Sequence, residues 1–207
     1  SYQKTNFGVS FRLQKGMMNL YLLKNDLVEV KYTTLEIVPV KKSLVVLPVG
    51  TYLKNFSVAE TNGNIMVSTD KLKIKVDRQT QAITYSDLKN RIILAESASE
   101  NKQMRDTTVA GIKTFSVATT FKSPKDEALY GLGCHPEDSL SIHYKGRNQD
   151  MAIKYLTGAI PVLLSTKGYG LLWDNYAESK FYGAEKNNAE YTYVSESGKI
   201  RYYYFLY

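Results

Sequence analysis

Six side chains between Cys134 and Asn175 are the candidates for acid–base or metal chemistry: His135 and His143, the only two histidines, and the carboxylates Glu137, Asp138, Asp150 and Asp174. Hydrolysis of a glycosidic bond needs two carboxylates set across the scissile bond, one as acid and one as nucleophile or base. These four residues supply the chemistry, but sequence alone gives no separation between them. The histidines lack the i, i+4 partner and the clustered carboxylates of a zinc site, and they read as surface or hydrogen-bonded structural groups. Asp174-Asn175, directly after an apolar run, reads as a turn closed by side-chain to backbone hydrogen bonds. No Gly-x-Ser-x-Gly elbow and no phosphate-cradling Gly-x-x-x-x-Gly-Lys-Ser/Thr is present. Gly131-Leu132-Gly133 lacks the third glycine and the following helix of a dinucleotide site. The residues therefore offer no catalytic set, no metal site and no cofactor site.

Whatever these groups do, strands must position them. Ile160 to Asn175 reads as two apolar runs joined by a turn at Thr166, Lys167 and Gly168, a buried hairpin that holds the only tryptophan, Trp173. Phe7, Val9, Phe11 and Leu13 alternate with polar or small residues, a period-two strand. Further strands are expected at Met17–Leu23, Leu27–Tyr32, Leu35–Val40, Leu44–Val49, Ile65–Val67, Leu72–Val76, Ala82–Tyr85, Ile92–Leu94, Thr114–Phe121, Tyr191–Val194 and Ile200–Tyr207. Asn62-Gly63 is a strong type I′ hairpin signal. Glu96 to Thr108 is polar and patternless, which predicts a loop, and Ser195–Gly198 predicts a turn between the last two strands. No window sustains helical periodicity over the ~11 residues of an average helix. The expectation is an all-β, antiparallel sandwich or barrel, with residues 1–207 forming one domain.

Composition narrows the function classes. The formal charge of +7 raises the question of nucleic acid, but the lysines are spread out. Lys71, Lys73 and Lys75 interleave with Leu72, Ile74 and Val76, the solvated face of one strand. With no arginine-rich block, nucleic-acid binding is not expected. The 17 tyrosines suit half-buried strands and also sugar-binding surfaces, since each ring has an apolar face and a polar tip. Cys134 stands alone, so no internal disulfide forms. No apolar run reaches the ~20 residues of a membrane helix. The chain starts at Ser1 rather than Met, which suggests a processed or engineered start and leaves export open. It stops in Tyr202-Tyr203-Tyr204-Phe205-Leu206-Tyr207, an aromatic strand expected to lead into a following domain.

Glu127-Ala128-Leu129-Tyr130-Gly131-Leu132-Gly133 resembles the Glu-x-x-Tyr-Gly-Leu-Gly signature in the N-terminal domain of glycoside hydrolase family 31. The stretch from Ile160-Pro161 through Ser165, Lys167-Gly168-Tyr169-Gly170 and Trp173-Asp174-Asn175 is similar to the next signature of that domain, with Gly146-Arg147 ahead of it. Val76-Asp77, Ile83, Asp87 and Leu94-Ala95-Glu96 resemble the earlier hairpin. The matches run in family order from Leu72 to Asn175 and are most similar to α-xylosidase and α-glucosidase members. This resemblance implies an antiparallel β-sandwich of the galactose-mutarotase-like (supersandwich) type, placed before a (β/α)8 barrel that carries the catalytic aspartates. The family's Trp-x-Asp-Met-Asn-Glu nucleophile motif is absent here, so the chain is expected to be the non-catalytic N-terminal domain, cut before its barrel. By the same resemblance, its partners would be that barrel and an α-linked oligosaccharide, and a periplasmic or secreted location is favoured. The family lends a loop of this domain to the substrate pocket, here between Gly146 and Pro161. Ile153-Lys154-Tyr155-Leu156 stands where a Gln and an Asn-Thr pair are expected. Arg147, Asp150, Lys154 and Tyr155 are the substrate-loop candidates, able respectively to donate twice, accept from hydroxyls, donate and stack. An autonomous carbohydrate-binding module is the alternative, and it needs tyrosines exposed on one sheet face. An aldose epimerase needs a His and a Glu facing one cleft.

Overall fold

A computed structural model describes residues 1–40, 42–48, 50–135, 143–152, 158–185, 188–198 and 201–207. The first strands are β1 (Tyr2–Lys4), β2 (Gly8–Arg12), β3 (Met17–Lys24) and β4 (Leu27–Thr33). They are followed by β5 (Ser57–Thr61), β6 (Asn64–Ser68), β7 (Lys73–Asp77), β8 (Ile83–Ser86) and β9 (Ile92–Ala95). Next come β10 (Gln103–Val109), β11 (Ile112–Lys122), β12 (Leu129–Cys134) and β13 (Asn148–Met151). The chain continues through β14 (Gly158–Ser165), β15 (Gly170–Trp173), β16 (Ser179–Glu185), β17 (Glu190–Gly198) and β18 (Arg201–Leu206).

The strands form three antiparallel sheets. The large one has the order β1-β2-β3-β4-β18-β15-β14-β12, the second β10-β11-β17-β16-β13, and the third is the meander β5-β6-β7-β8-β9. A Glu96–Phe121 bridge ties the third sheet to the second. β18 sits inside the large sheet, paired to β4 on one side and β15 on the other. One core cluster is shared by all three sheets. Alternation decides which side chains enter it. Leu20, Leu22, Val28, Val30, Tyr203, Phe205, Leu171 and Trp173 point inward, while Tyr21, Glu29, Tyr204 and Leu172 lie between them on the opposite face. Ring packing joins the layers: Tyr85 of β8 stacks on Phe205 at 4.0 Å, and Trp173 lies nearly parallel to Tyr193 at 5.6 Å.

The expected type I′ turn is present, with Asn62 at φ 48° and Gly63 at φ 73° between β5 and β6. The hairpin of β14 and β15 also forms, but its first strand is buried on one face only. Leu163 is enclosed, whereas Ile160 and Leu164 are 56% and 54% exposed.

Three expectations fail for physical reasons. The described residues of Leu35–Val40 and Leu44–Val49 form no strand, because Pro39 and Pro48 break the runs and no neighbouring strand offers a ladder. The predicted loop from Glu96 contains β10, an edge strand whose side chains meet water on both faces and so lack alternation. Ser195–Gly198 belongs to β17 rather than to a turn: Ser195 is fully buried and takes part in the pairing with β11 and β16.

Candidate functional site

The carboxylates of the quoted motifs are structural hubs. Glu127, 4% exposed, accepts hydrogen bonds from Ser123 Oγ at 2.7 Å, Ser165 Oγ at 2.5 Å and Tyr169 Oη at 2.7 Å. It thereby ties the approach to β12 to both ends of the β14–β15 turn. Burial, and then the charge of Glu127, push the Tyr169 hydroxyl well above its ordinary pKa, so it stays a proton donor. Glu96 accepts from Ile83 N and Tyr203 Oη and pairs with Lys102 at 2.8 Å, both partners being essentially buried. Asp77 closes a turn on the amides of Gln79 and Thr80, and Asp87 does the same with Lys89 and Arg91. Glu127 and Glu96 are buried, while Asp77 lines a cavity of about 270 Å³ with its side chain already engaged in the turn.

The glycines of Tyr130-Gly131-Leu132-Gly133 answer to backbone approach. A Cβ on Gly131 would lie 2.3 Å from Val162 O, and one on Gly133 would lie 1.8 Å from Gly158 O. Both glycines adopt positive φ, as does Leu132, at a register shift between β12 and β14. The irregularity sits beside the first residues of β14, where the chain arrives from the β13–β14 connection.

That connection begins beside a cavity of about 530 Å³, lined by Met151, Ala159 to Val162, Leu172 to Ala177, Ser179 and Val45. A hydroxyl chain fixes its floor: Trp173 Nε1 donates to Ser195 Oγ at 2.7 Å, Ser195 and Ser179 share a hydrogen bond at 2.6 Å, and Ser179 donates to Ala177 O at 2.9 Å. The Tyr176 hydroxyl accepts the Leu44 amide at 2.5 Å and pins the 42–48 segment at the rim. Asp174 is 1% exposed, and among the described residues neither carboxylate oxygen has a hydrogen-bond partner; the Asn175 amide nitrogen is likewise buried and unpartnered among them. The expected side-chain turn at Asp174-Asn175 is therefore not made. Burial, then the charge of Glu29 and, more weakly, that of Asp174, hold the Tyr204 hydroxyl far above its normal pKa.

Two of the four substrate-loop candidates can be placed. Arg147 lies just before β13, with its guanidinium 5.6 Å from the Tyr144 ring centre and its carbonyl accepting from Gly183 N at 2.9 Å. Asp150 is exposed on β13, opposite Lys180 of β16. Lys154 and Tyr155 fall outside the described residues, as do Glu137 and Asp138. His135 is occupied, Nε2 with Leu132 O at 2.8 Å and Nδ1 with the Gln149 amide at 3.1 Å. Sequence reasoning missed the unpartnered pair Asp174 and Asn175, because a polar dipeptide after a strand looks like any other turn. Among the described residues no group of three metal-ligating side chains occurs, and no helix is long and apolar enough to cross a membrane.

The model of the glycosyl hydrolase 31 N-terminal galactose mutarotase-like domain matches residues 17–181. The chain belongs to this family. It is 26% identical over 178 residues to an α-xylosidase of Saccharolobus solfataricus, covering 81% of this chain and 23% of that protein. It is 24% identical over 171 residues to an isomaltosyltransferase of Sporosarcina globispora, covering 75% of this chain and 15% of that one. The crystal structure of a family 31 α-xylosidase from Xanthomonas citri superposes with a TM-score of 0.80 at 26% identity, covering 88% of this chain and 20% of its own. The domain thus spans less than a quarter of the length of these relatives. Membership also accounts for the sandwich: its supersandwich architecture is the galactose-mutarotase-like one that the motifs implied.

Proposed function

We propose that this chain is the non-catalytic N-terminal domain of a longer family 31 α-glycosidase acting on xylose- or glucose-containing oligosaccharides. In this reading the domain supports a (β/α)8 barrel, and its β13–β14 connection, with Arg147 and Asp150 at the near end and Lys154 and Tyr155 within it, reaches the barrel's substrate pocket. The observation that carries the proposal is the use made of the motif carboxylates: Glu96 and Glu127 are buried in ion pairs and hydroxyl bonds, where no sugar reaches them. Acid–base catalysis at a glycosidic bond needs both carboxyl groups beside substrate. Supporting it, the relatives are more than four times longer than the stretch they share with this chain. The test is the reading frame beyond Tyr207 together with sugar release from aryl α-xyloside and α-glucoside. A barrel with paired aspartates and activity only in the long form is expected; a stop codon there, or turnover by residues 1–207, would overturn it.

A second reading has its own observation. Phe7, Tyr21 and Tyr52 gather at a cavity of about 340 Å³ that Glu29, Lys31 and Tyr204 also line. Aromatic faces beside charged donors and acceptors suit a glycan, as an autonomous binding module requires. Calorimetry with xylo- and gluco-oligosaccharides separates the two: millimolar or tighter binding by this chain favours the module.

A further inference from the structure

From the unpartnered groups at the β13–β14 end, we infer that Asp174 is the anchor of the interface with the rest of the enzyme, receiving an arginine side chain from it; the inference rests on the proposed function. A carboxylate taken out of water without a compensating donor costs several kcal/mol, and Asp174 is in that state: 1% exposed, with no hydrogen bond to either oxygen and no salt bridge among the described residues. Two unpartnered oxygens on one carboxylate match the two parallel N–H groups of a guanidinium better than the single point charge of an ammonium.

The surroundings fit the same guest. Val45, Ile160, Pro161, Val162 and Leu172 supply apolar walls, which suit the three-methylene stem of arginine. Charge favours a cation there, since Asp174 is the one carboxylate among the described residues lining the cavity and no lysine or arginine lines it. The buried Asn175 Nδ2 lacks an acceptor, which a backbone carbonyl flanking the incoming arginine would provide. Around the cavity, Val45 and Ile160 are more than half exposed and Tyr176 is 40% exposed. An apolar rim around one fully desolvated charge is the arrangement that gives protein interfaces their strongest single contacts.

The discriminating substitution is Asp174→Asn, measured by thermal unfolding in the 207-residue chain and in the polypeptide encoded by the full reading frame. In the chain alone, removing an uncompensated charge is expected to leave the midpoint unchanged or raise it. In the long form, where the charge is paired, the same change should lower the midpoint by on the order of 5 °C. That difference in sign is the signature of a partner supplied from outside the chain. A loss of stability in the chain alone means that Asp174 is already paired within it, and overturns the inference while leaving the proposed function intact. Equal effects in both forms overturn it likewise. So does calorimetric binding of maltotriose or xylotriose that Asp174→Asn abolishes, which would make the cavity a sugar subsite. A reading frame with no further domain removes the proposed function and the arginine donor together.

Discussion

Replacing Glu127 by alanine should unfold this domain more readily without touching any sugar chemistry. The carboxylate accepts three hydroxyl hydrogen bonds at 2.5–2.7 Å in a site 4% exposed. Hydrogen bonds to a charged group contribute about 1.5–3 kcal/mol each, so the gross loss is about 5–9 kcal/mol. Part of it returns, because Tyr169 also bonds Tyr191 at 2.9 Å and Ser123 Oγ keeps the Lys145 ammonium at 2.9 Å. A net loss of about 3–5 kcal/mol remains, equivalent to roughly 6–20 °C for a domain of this size. Glu127→Gln keeps one acceptor oxygen and turns the other position into a donor facing Ser123, which can rotate to accept. Its expected cost is smaller, about 1–2 kcal/mol. Urea unfolding followed by tryptophan fluorescence reads both, since Trp173 is buried. If the alanine variant loses less than about 1 kcal/mol, the claim that this motif residue is a scaffold hub is refuted. A variant of unchanged stability that fails to bind sugar would refute it more pointedly.

Other consequences follow from the same geometry. Gly133→Ala places a methyl group 1.8 Å from Gly158 O at positive φ. It should cost at least about 2 kcal/mol and perturb the start of β14, which amide hydrogen exchange there would show. Lys102→Met leaves the Glu96 carboxylate without its buried counter-ion and should cost about 3–5 kcal/mol, whereas the double variant with Glu96→Leu should recover part of the loss. Asp77 is held below its ordinary pKa chiefly by the Thr80 amide. Its contribution is therefore present above the unfolded value of about 4 and fades as the pH falls through the lower folded value, so Asp77→Asn should flatten the acid limb of the stability–pH curve.

How much of this was legible in the sequence depended on whether a strand has a dry side. β6, β7 and β8 bury alternate residues against the core, and β2, β3 and β4 carry enough apolar residues into it, on one face or both, to stand out in the sequence. β1, β5, β10 and β13 lie at sheet edges and are mostly wet, so Gln103–Val109 and Asn148–Met151 carry no pattern to read. β12 escaped because Gly131, Leu132 and Gly133 spend their conformations on a close approach to β14, not on packing. The opposite error came from Ile37, Val40, Leu44 and Leu47, apolar residues that the fold leaves exposed. At the candidate site, the resemblance pointed to the connection between β13 and β14, of which Arg147 and Asp150 are described while Lys154 and Tyr155 are not. Arg147 and Asp150 were named for their chemistry, while the unpartnered Asp174 read as scaffold. Whether a carboxylate has found its donors is a property of three-dimensional packing, and no spacing along a chain records it.

The central claim is that this domain does no hydrolysis itself. It is tested most directly by incubating the purified 207-residue chain with aryl α-xyloside and aryl α-glucoside and measuring phenol release. No release above the uncatalysed rate is expected, at any pH and at enzyme concentrations far above those that saturate a working glycosidase. Turnover that persists through purification and disappears on substituting Asp150 or Asp174 would contradict the account.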